Sequence, residues 1–213
     1  MNQKTWIDNF TASYQQILSP RISGAKRGLQ EGIGQRFLGF RMMFELLLEQ
    51  KNSNFYIIET GTLRNPGNWK DGQSARLFTE FVDQFGGQVK SVDIDPTAVD
   101  TANQSILSSN FTSQCSDSVA WLKSQADLNT VDLFYLDSWD VKWENDQDSA
   151  QHHLYEFQAI ESWLKPGTLV AIDDNARFSS NGQRTGKGRL VVEYLQSRGH
   201  QPLLDAYQII FQF

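Results

Sequence analysis

Acidic residues close four separate apolar runs of this chain. Glu59 follows Phe55-Tyr56-Ile57-Ile58, Asp93 follows Gln88 to Val92, Asp137 follows Val131 to Leu136, and the pair Asp173-Asp174 follows Thr168 to Ile172. A single acid in such a place is most often a helix cap or a solvated loop residue. Acids at several strand ends mean more, because an open α/β sheet binds its ligands in the crevice outside the carboxyl ends of its strands. Asp93, with Ile94 beside it, has the position and chemistry to accept hydrogen bonds from two ribose hydroxyls; the competing reading is a cap made with Asp95-Pro96. Within Glu59-Thr60-Gly61-Thr62, the glycine lets the backbone come close to a ligand, or simply makes a turn. Asp137, Asp173 and Asp174 offer hard oxygen donors of the kind Mg²⁺ takes. Without a cation, carboxylates so crowded would repel one another and their pKa values would rise.

The elements that must position these residues are legible from periodicity. Thr5 to Leu18 and Gln35 to Gln50 read as helices, the second with Phe37, Phe40, Met43, Phe44, Leu47 and Leu48 on one face. Ser19-Pro20 and the glycines at 24, 28, 32 and 34 break the pattern between them. From Asn54 onward strands alternate with amphipathic helices. The strands are Phe55–Glu59, Gln88–Asp93, Phe111–Cys115, Val131–Asp137 and Thr168–Asp173, with one or two more in Pro202–Phe213. The helices are Ser74–Phe85, Ala98–Ser108, Ser118–Gln125, Ser149–Leu164 (stopped by Lys165-Pro166-Gly167) and Arg189–Ser197. This alternation calls for a Rossmann-like α/β fold: a doubly wound, mostly parallel sheet with helices on both faces and residues 1–53 as an N-terminal helical extension. One domain of 213 residues is expected, with its core in 54–213.

Composition narrows the function classes. A formal charge of −6 argues against a nucleic-acid binder, which would carry a basic face. No apolar run is long enough to span a bilayer, and Met1 to Trp6 lacks the apolar stretch of a secretory signal. Cys115 is the one cysteine, so neither an internal disulfide nor a cysteine zinc site is possible. A cytoplasmic location is therefore expected. A dinucleotide such as NAD would require G-x-G-x-x-G to bring its pyrophosphate to a helix N-terminus, and the loop after Glu59 has no such triplet. A cofactor with ribose but no phosphate needs less glycine. The glycine-rich stretch Gly182 to Gly188 misses the Walker spacing and reads as a mobile loop.

Taken in order, these motifs resemble the class I S-adenosylmethionine-dependent methyltransferases. They are closest to the metal-dependent O-methyltransferases of catechol, caffeoyl-CoA and macrolide- or aminocoumarin-sugar type. The resemblance covers Asn54 to Asn175. It implies that Glu59, Gly61 and Thr62 lie under the methionine part of the cofactor. Gly72 and Ser74 would follow after an insertion from Leu63 to Asp71, on which Trp69 could line the site. It implies further that Asp93 and Ile94 hold the ribose, and that Asp117 and Ser118 of Ser116-Asp117-Ser118 touch the adenine. Leu136-Asp137-Ser138-Trp139 resembles the catechol enzyme's fourth strand end, where the aspartate meets both cofactor and metal. Asp173 and Asp174 match the paired metal ligands, with Asn175 as alternate. Where the catechol enzyme has a lysine base this chain has Asp140, so Asp140 or Lys142 would take the acceptor's proton. The implied partner is a small hydroxylated substrate, and the implied metal is Mg²⁺.

Three features leave alternatives open. His152 and His153 open a helix with Glu156 nearby, but neighbours on a helix diverge by about 100°. One histidine is therefore expected to pack or cap and the other to be solvated. Arg177 to Arg189, with Arg184 and Lys187, could form a lid that attracts an anionic acceptor, or a solvated loop. The helices before Asn54 could cover the cofactor or form a homodimer surface. Because fold alone does not fix function, a cofactor binder without methyl transfer and a relative with hydroxylase-like or C-methylating chemistry are the competing classes.

Overall fold

Alternation of strand and helix begins at Phe55 in the computed structural model, which describes residues 2–19, 35–69, 73–178 and 180–213. Two helices precede it, α1 (Gln3–Leu18) and α2 (Phe37–Gln50). Then follow β1 (Phe55–Thr60), α3 (Ser74–Phe85), β2 (Gly87–Asp93), α4 (Pro96–Ser105), β3 (Phe111–Cys115), α5 (Ser118–Ser124), β4 (Leu133–Leu136), α6 (Gln147–Ile160) and β5 (Leu169–Ile172). The chain continues through β6 (Asn175–Arg177), β7 (Arg184–Gly186), α7 (Arg189–Gln196), β8 (Leu204–Asp205) and β9 (Ile209–Gln212). Local chemistry explains several boundaries. Asp95 caps α4 by accepting from Thr97 N at 2.8 Å, and Pro96 occupies the first helical turn, where its missing N–H costs nothing.

The main sheet has the order β3-β2-β1-β4-β5-β9-β8, with β1 to β5 parallel and β9 antiparallel to β5. The order reverses between β1 and β4, which pair from Ile57↔Leu133 to Thr60↔Leu136. A topological switch point of this kind opens a crevice at the strand ends. Strands buried on both faces need apolar residues throughout, and β4 and β5 are buried at every position.

Successive side chains feed two different cores, as the strand period of two requires. Leu133 and Tyr135 join α1, α2 and α3 in an aromatic layer with Trp6, Phe10, Phe40, Phe44, Phe78 and Phe81. Phe134 and Leu136 face α5, α6 and α7, meeting Leu122, Phe157, Val191 and Leu195. The six apolar residues expected on one face of α2 are all buried. The first two helices thus contribute a full wall of the core. No helix among the described residues is long and apolar enough to cross a membrane.

The segment expected to be a loop past Asp174 is a short antiparallel ribbon. β6 and β7 pair Asn175↔Gly186, Ala176↔Thr185 and Arg177↔Arg184. Asp146, at the start of α6, clamps it: its carboxylate accepts from Gly186 N at 2.8 Å, Thr185 Oγ1 at 3.1 Å and Arg189 Nη2 at 2.9 Å. Arg177 and Arg184 both pair with Asp205 on β8. Those two guanidiniums share one carboxylate within the fold.

Candidate active site

Glu59, Gly61, Thr62, Asp93, Asp137, Asp173 and Asp174 all stand at the carboxyl edge of the sheet, around the switch point. Gly61 has φ +81°, and a Cβ there would lie 2.8 Å from the carbonyl oxygen of Asp137. The glycine is therefore demanded by the close approach of β1 to the end of β4, a reason the sequence did not reveal. Asp93 accepts from Thr62 N (3.1 Å) through Oδ2 and from Asp95 N (2.9 Å) through Oδ1. Each oxygen keeps a lone pair for a ligand. Burial raises the Asp93 pKa, opposed by those two backbone donors.

A cavity of about 350 Å³ opens beside it, lined by Val92, Asp93, Ile94, Asp117, Ser118, Ser138, Trp139, Asp140, Lys142 and His152. That volume falls within the roughly 300–1,000 Å³ of small-molecule sites. Ile94 and Trp139 are large apolar side chains left exposed on its wall. Asp117 also caps α5, accepting from Ala120 N at 2.8 Å. Asp140 is exposed and pairs with Arg64 at 3.0 Å. With Lys142 it belongs to this cavity and is not brought to the cluster of Asp137, Asp173 and Asp174. Gly72 lies outside the described residues.

A second, small cavity of about 10 Å³, room for one water, is bounded by Leu18, Arg36, Phe40, Trp69, Gln73, Ser74, Leu77, Tyr135, Asp137 and Asp173. Trp69 and Ser74 are thus brought to the wall of this small cavity. Gln73 ties the intervening loop to α3 by donating from Nε2 to Asn65 O (2.8 Å) and Asn68 O (3.2 Å). Glu59 is 1% exposed. Burial pushes its carboxyl up to about 8 against the opposing pull of the Ser74 and Ser91 hydroxyls. Its Oε1 accepts no hydrogen bond among the described residues.

The three aspartates are compensated by the protein's own cations. Lys187 Nζ lies 2.6 Å from Asp137 Oδ1 and 2.9 Å from Asp174 Oδ2. Arg36, just before α2, reaches Asp173 at 2.9 Å and Asp174 at 3.3 Å. Tyr207 donates its hydroxyl to Asp174 Oδ1. Asp174 is held below the usual carboxylate range, as the Lys187 and Arg36 charges outweigh its desolvation. Asp137 is pushed up to about 7 by burial and by Asp173 and Asp174, with Lys187 opposing. The expectation that Asp137, Asp173 and Asp174 ligate Mg²⁺ does not fit this geometry, because an ammonium and a guanidinium hold the oxygens an ion would need. Among the described residues, no three acidic, histidine or cysteine side chains are disposed to hold a metal ion.

A buried network that sequence reasoning missed supports the floor between the strand ends. Glu156, fully buried on α6, accepts from Thr60 Oγ1 (3.2 Å), Ser138 Oγ (2.6 Å) and Ser118 Oγ. His152 Nε2 is 3.3 Å from Glu156 Oε1 and His153 Nε2 is 3.8 Å from Oε2. Both histidines therefore flank one carboxylate; His153 is buried, while His152 stays partly exposed on the wall of the larger cavity. The carboxylate follows His152 by four residues and His153 by three, so each lies one turn from it and the divergence of neighbours is bridged by its two oxygens. Desolvation opposes ionisation of Glu156, but the histidines and hydroxyls prevail and hold it at about 2. The i+3 and i+4 spacing to Glu156 was the signal available in the sequence.

No family model matches the sequence, and no curated protein matches it. Solved structures do. The methyltransferase domain of METTL16 superposes with a TM-score of 0.51 at 10% identity, covering 84% of this chain and 68% of that one. The fold is the one that methyltransferases use. A TehB-like SAM-dependent methyltransferase of Corynebacterium glutamicum gives a TM-score of 0.45 at 15% identity, over 79% of this chain and 85% of that one. Human N-acetylserotonin methyltransferase, solved with SAM, gives 0.48 at 16% identity over 83% of this chain, which spans 52% of that enzyme.

Proposed function

We propose that this chain binds S-adenosylmethionine and transfers its methyl group to a hydroxyl of a small acceptor. The observation that carries this reading is the cavity of about 350 Å³ at the switch point, with Asp93 on its wall. Asp93 would accept the ribose hydroxyls, and Ile94 and Trp139 would cover the adenine. Among the described residues the buried Oε1 of Glu59 has no donor, at a cost of about 1–3 kcal/mol for such a group, and the methionine ammonium would supply one. NAD fits worse. Thirteen residues separate the end of β1 from α3, so no helix N-terminus directly follows the strand to receive a pyrophosphate.

When bound, the cofactor supplies an electrophilic methyl on a sulfonium. The chain's task is to hold the acceptor oxygen in line with it and to take the acceptor's proton. Asp137 borders the small cavity, and burial together with Asp173 and Asp174 raises its carboxyl from the ordinary carboxylate range toward that of a general base, with Lys187 opposing. It is the better placed base than Asp140 or Lys142.

Calorimetric titration with S-adenosylmethionine, S-adenosylhomocysteine and NAD tests the proposal. The first two are expected to bind and NAD is not; binding of NAD alone would overturn the reading. The pH dependence has a definite sign. Glu59 and Asp137 hold protons below about 8 and 7, so a cationic ligand must displace them, and affinity rises with pH across that range. The ammonium common to both ligands reports on Glu59. The steeper slope expected for the sulfonium ligand reports on Asp137, and identical slopes would remove Asp137 from the neighbourhood of the sulfur.

A further inference from the structure

We infer that the Lys187 ammonium is the resident cation of this site, so that the carboxylate cluster takes no divalent metal and Lys187 fixes the orientation of Asp137. The inference concerns the same site as the proposed methyl transfer and rests on that reading only for its catalytic meaning.

Lys187 is coordinated as completely as an ammonium can be. Its three donors meet Asp137 Oδ1 at 2.6 Å, Asp174 Oδ2 at 2.9 Å and the carbonyl oxygen of Asp137 at 3.1 Å. Its side chain is 2% exposed. An ammonium buried without partners costs several kcal/mol, so its placement here depends on the acids around it. The converse also holds, since Asp137, Asp173 and Asp174 approach one another only with positive charge among them.

The backbone that delivers the lysine is anchored on both sides. Gly186 N donates to Asp146, Lys187 N to Asp174 O at 3.2 Å, and Gly188 N to Asn175 Oδ1 at 2.7 Å. Gly186 has φ +109°, and a Cβ would stand 2.2 Å from the carbonyl oxygen of Asp174. Only glycine lets the ribbon come this near, and the ribbon's approach is what places Lys187. A divalent ion could reach the same oxygens only by expelling a cation whose stem and backbone are both fixed. Two cations about 3 Å apart in a buried site would repel strongly.

The test uses Mn²⁺ alone, followed by the loss of the free-ion paramagnetic resonance signal, on the chelator-treated protein. Wild type is expected to leave the signal unchanged. K187A, which leaves the three carboxylates without their central cation, is expected to bind about one Mn²⁺ per chain and to gain several degrees of thermal stability from it. K187R, which restores the charge, is expected to bind none. Stoichiometric Mn²⁺ binding by wild type, abolished in D174N, would overturn the inference. So would a folded K187A that ignores the ion. Should K187A fail to fold with or without Mn²⁺, the wild-type titration decides alone. Failure of S-adenosylmethionine to bind would sink the proposed function and leave these ion-binding outcomes intact, so the two failures are told apart.

Discussion

Glu156→Ala is expected to lower the unfolding midpoint by about 10 °C. The substitution leaves His153 and three hydroxyl groups without the anion they surround. Breaking a buried charged network costs about 3–5 kcal/mol. For a domain of this size each kcal/mol is worth about 2–4 °C. The cost is read by calorimetry at pH 7, and a midpoint within a degree or two of wild type would show that the network does not support the switch point. The wild type carries a related signature in acid. Glu156 is held at about 2, so the stability it contributes is full above about 4.5 and is lost as pH falls toward 2. Burial keeps His153 down near 4, so the unfolded chain takes up this proton first and stability also falls from about 6.5 to 4. His152 acts in the opposite sense. Glu156 raises its pKa, and the stability from this charge is present below about 6.5 and lost as pH rises through the raised value. In Glu156→Ala the decline from 4.5 toward 2 should flatten.

Asp93→Ala is expected to weaken S-adenosylmethionine and S-adenosylhomocysteine binding alike, by at least about a hundredfold. Two hydrogen bonds from ribose hydroxyls to a carboxylate are worth about 1.5–3 kcal/mol each, and about 1.4 kcal/mol is tenfold in affinity. Asp93 also holds Thr62 N and Asp95 N, so part of the loss would come from a loosened β1–α3 loop. Comparison with adenosine separates the two effects. A ligand lacking the methionine part should suffer the same loss if the ribose contact dominates, and a smaller one if the loop does. Undiminished affinity for all three would remove Asp93 from the binding site.

The fold was legible because its signals are local. The apolar runs ending in Glu59, Asp93, Asp137 and Asp173 are the central strands, and the spans of α3 and β3 match the sequence reading at both ends. Glu59, Gly61 and Asp93 were legible as strand-end residues for the same reason, since each closes or directly follows its strand. What escaped the sequence depends on contacts across long separations. Lys187 meets Asp137 across fifty positions, and Arg36 meets Asp173 across 137. The ribbon that carries Lys187 has strands of only three residues among glycines, too short for a period to show. Read without it, three carboxylates lacked a counter-charge, and a metal filled the gap.

Trp139 takes φ +49° at the exit of β4, a left-handed backbone that bulky residues resist. Its indole lies tilted against the His152 ring, with centroids 5.1 Å apart, and walls the larger cavity. Glycine would relax the chain there at once, yet it would strip away the aromatic surface. Under the proposed function, sturdiness and grip compete at this one position, and the molecule keeps the residue that would grip.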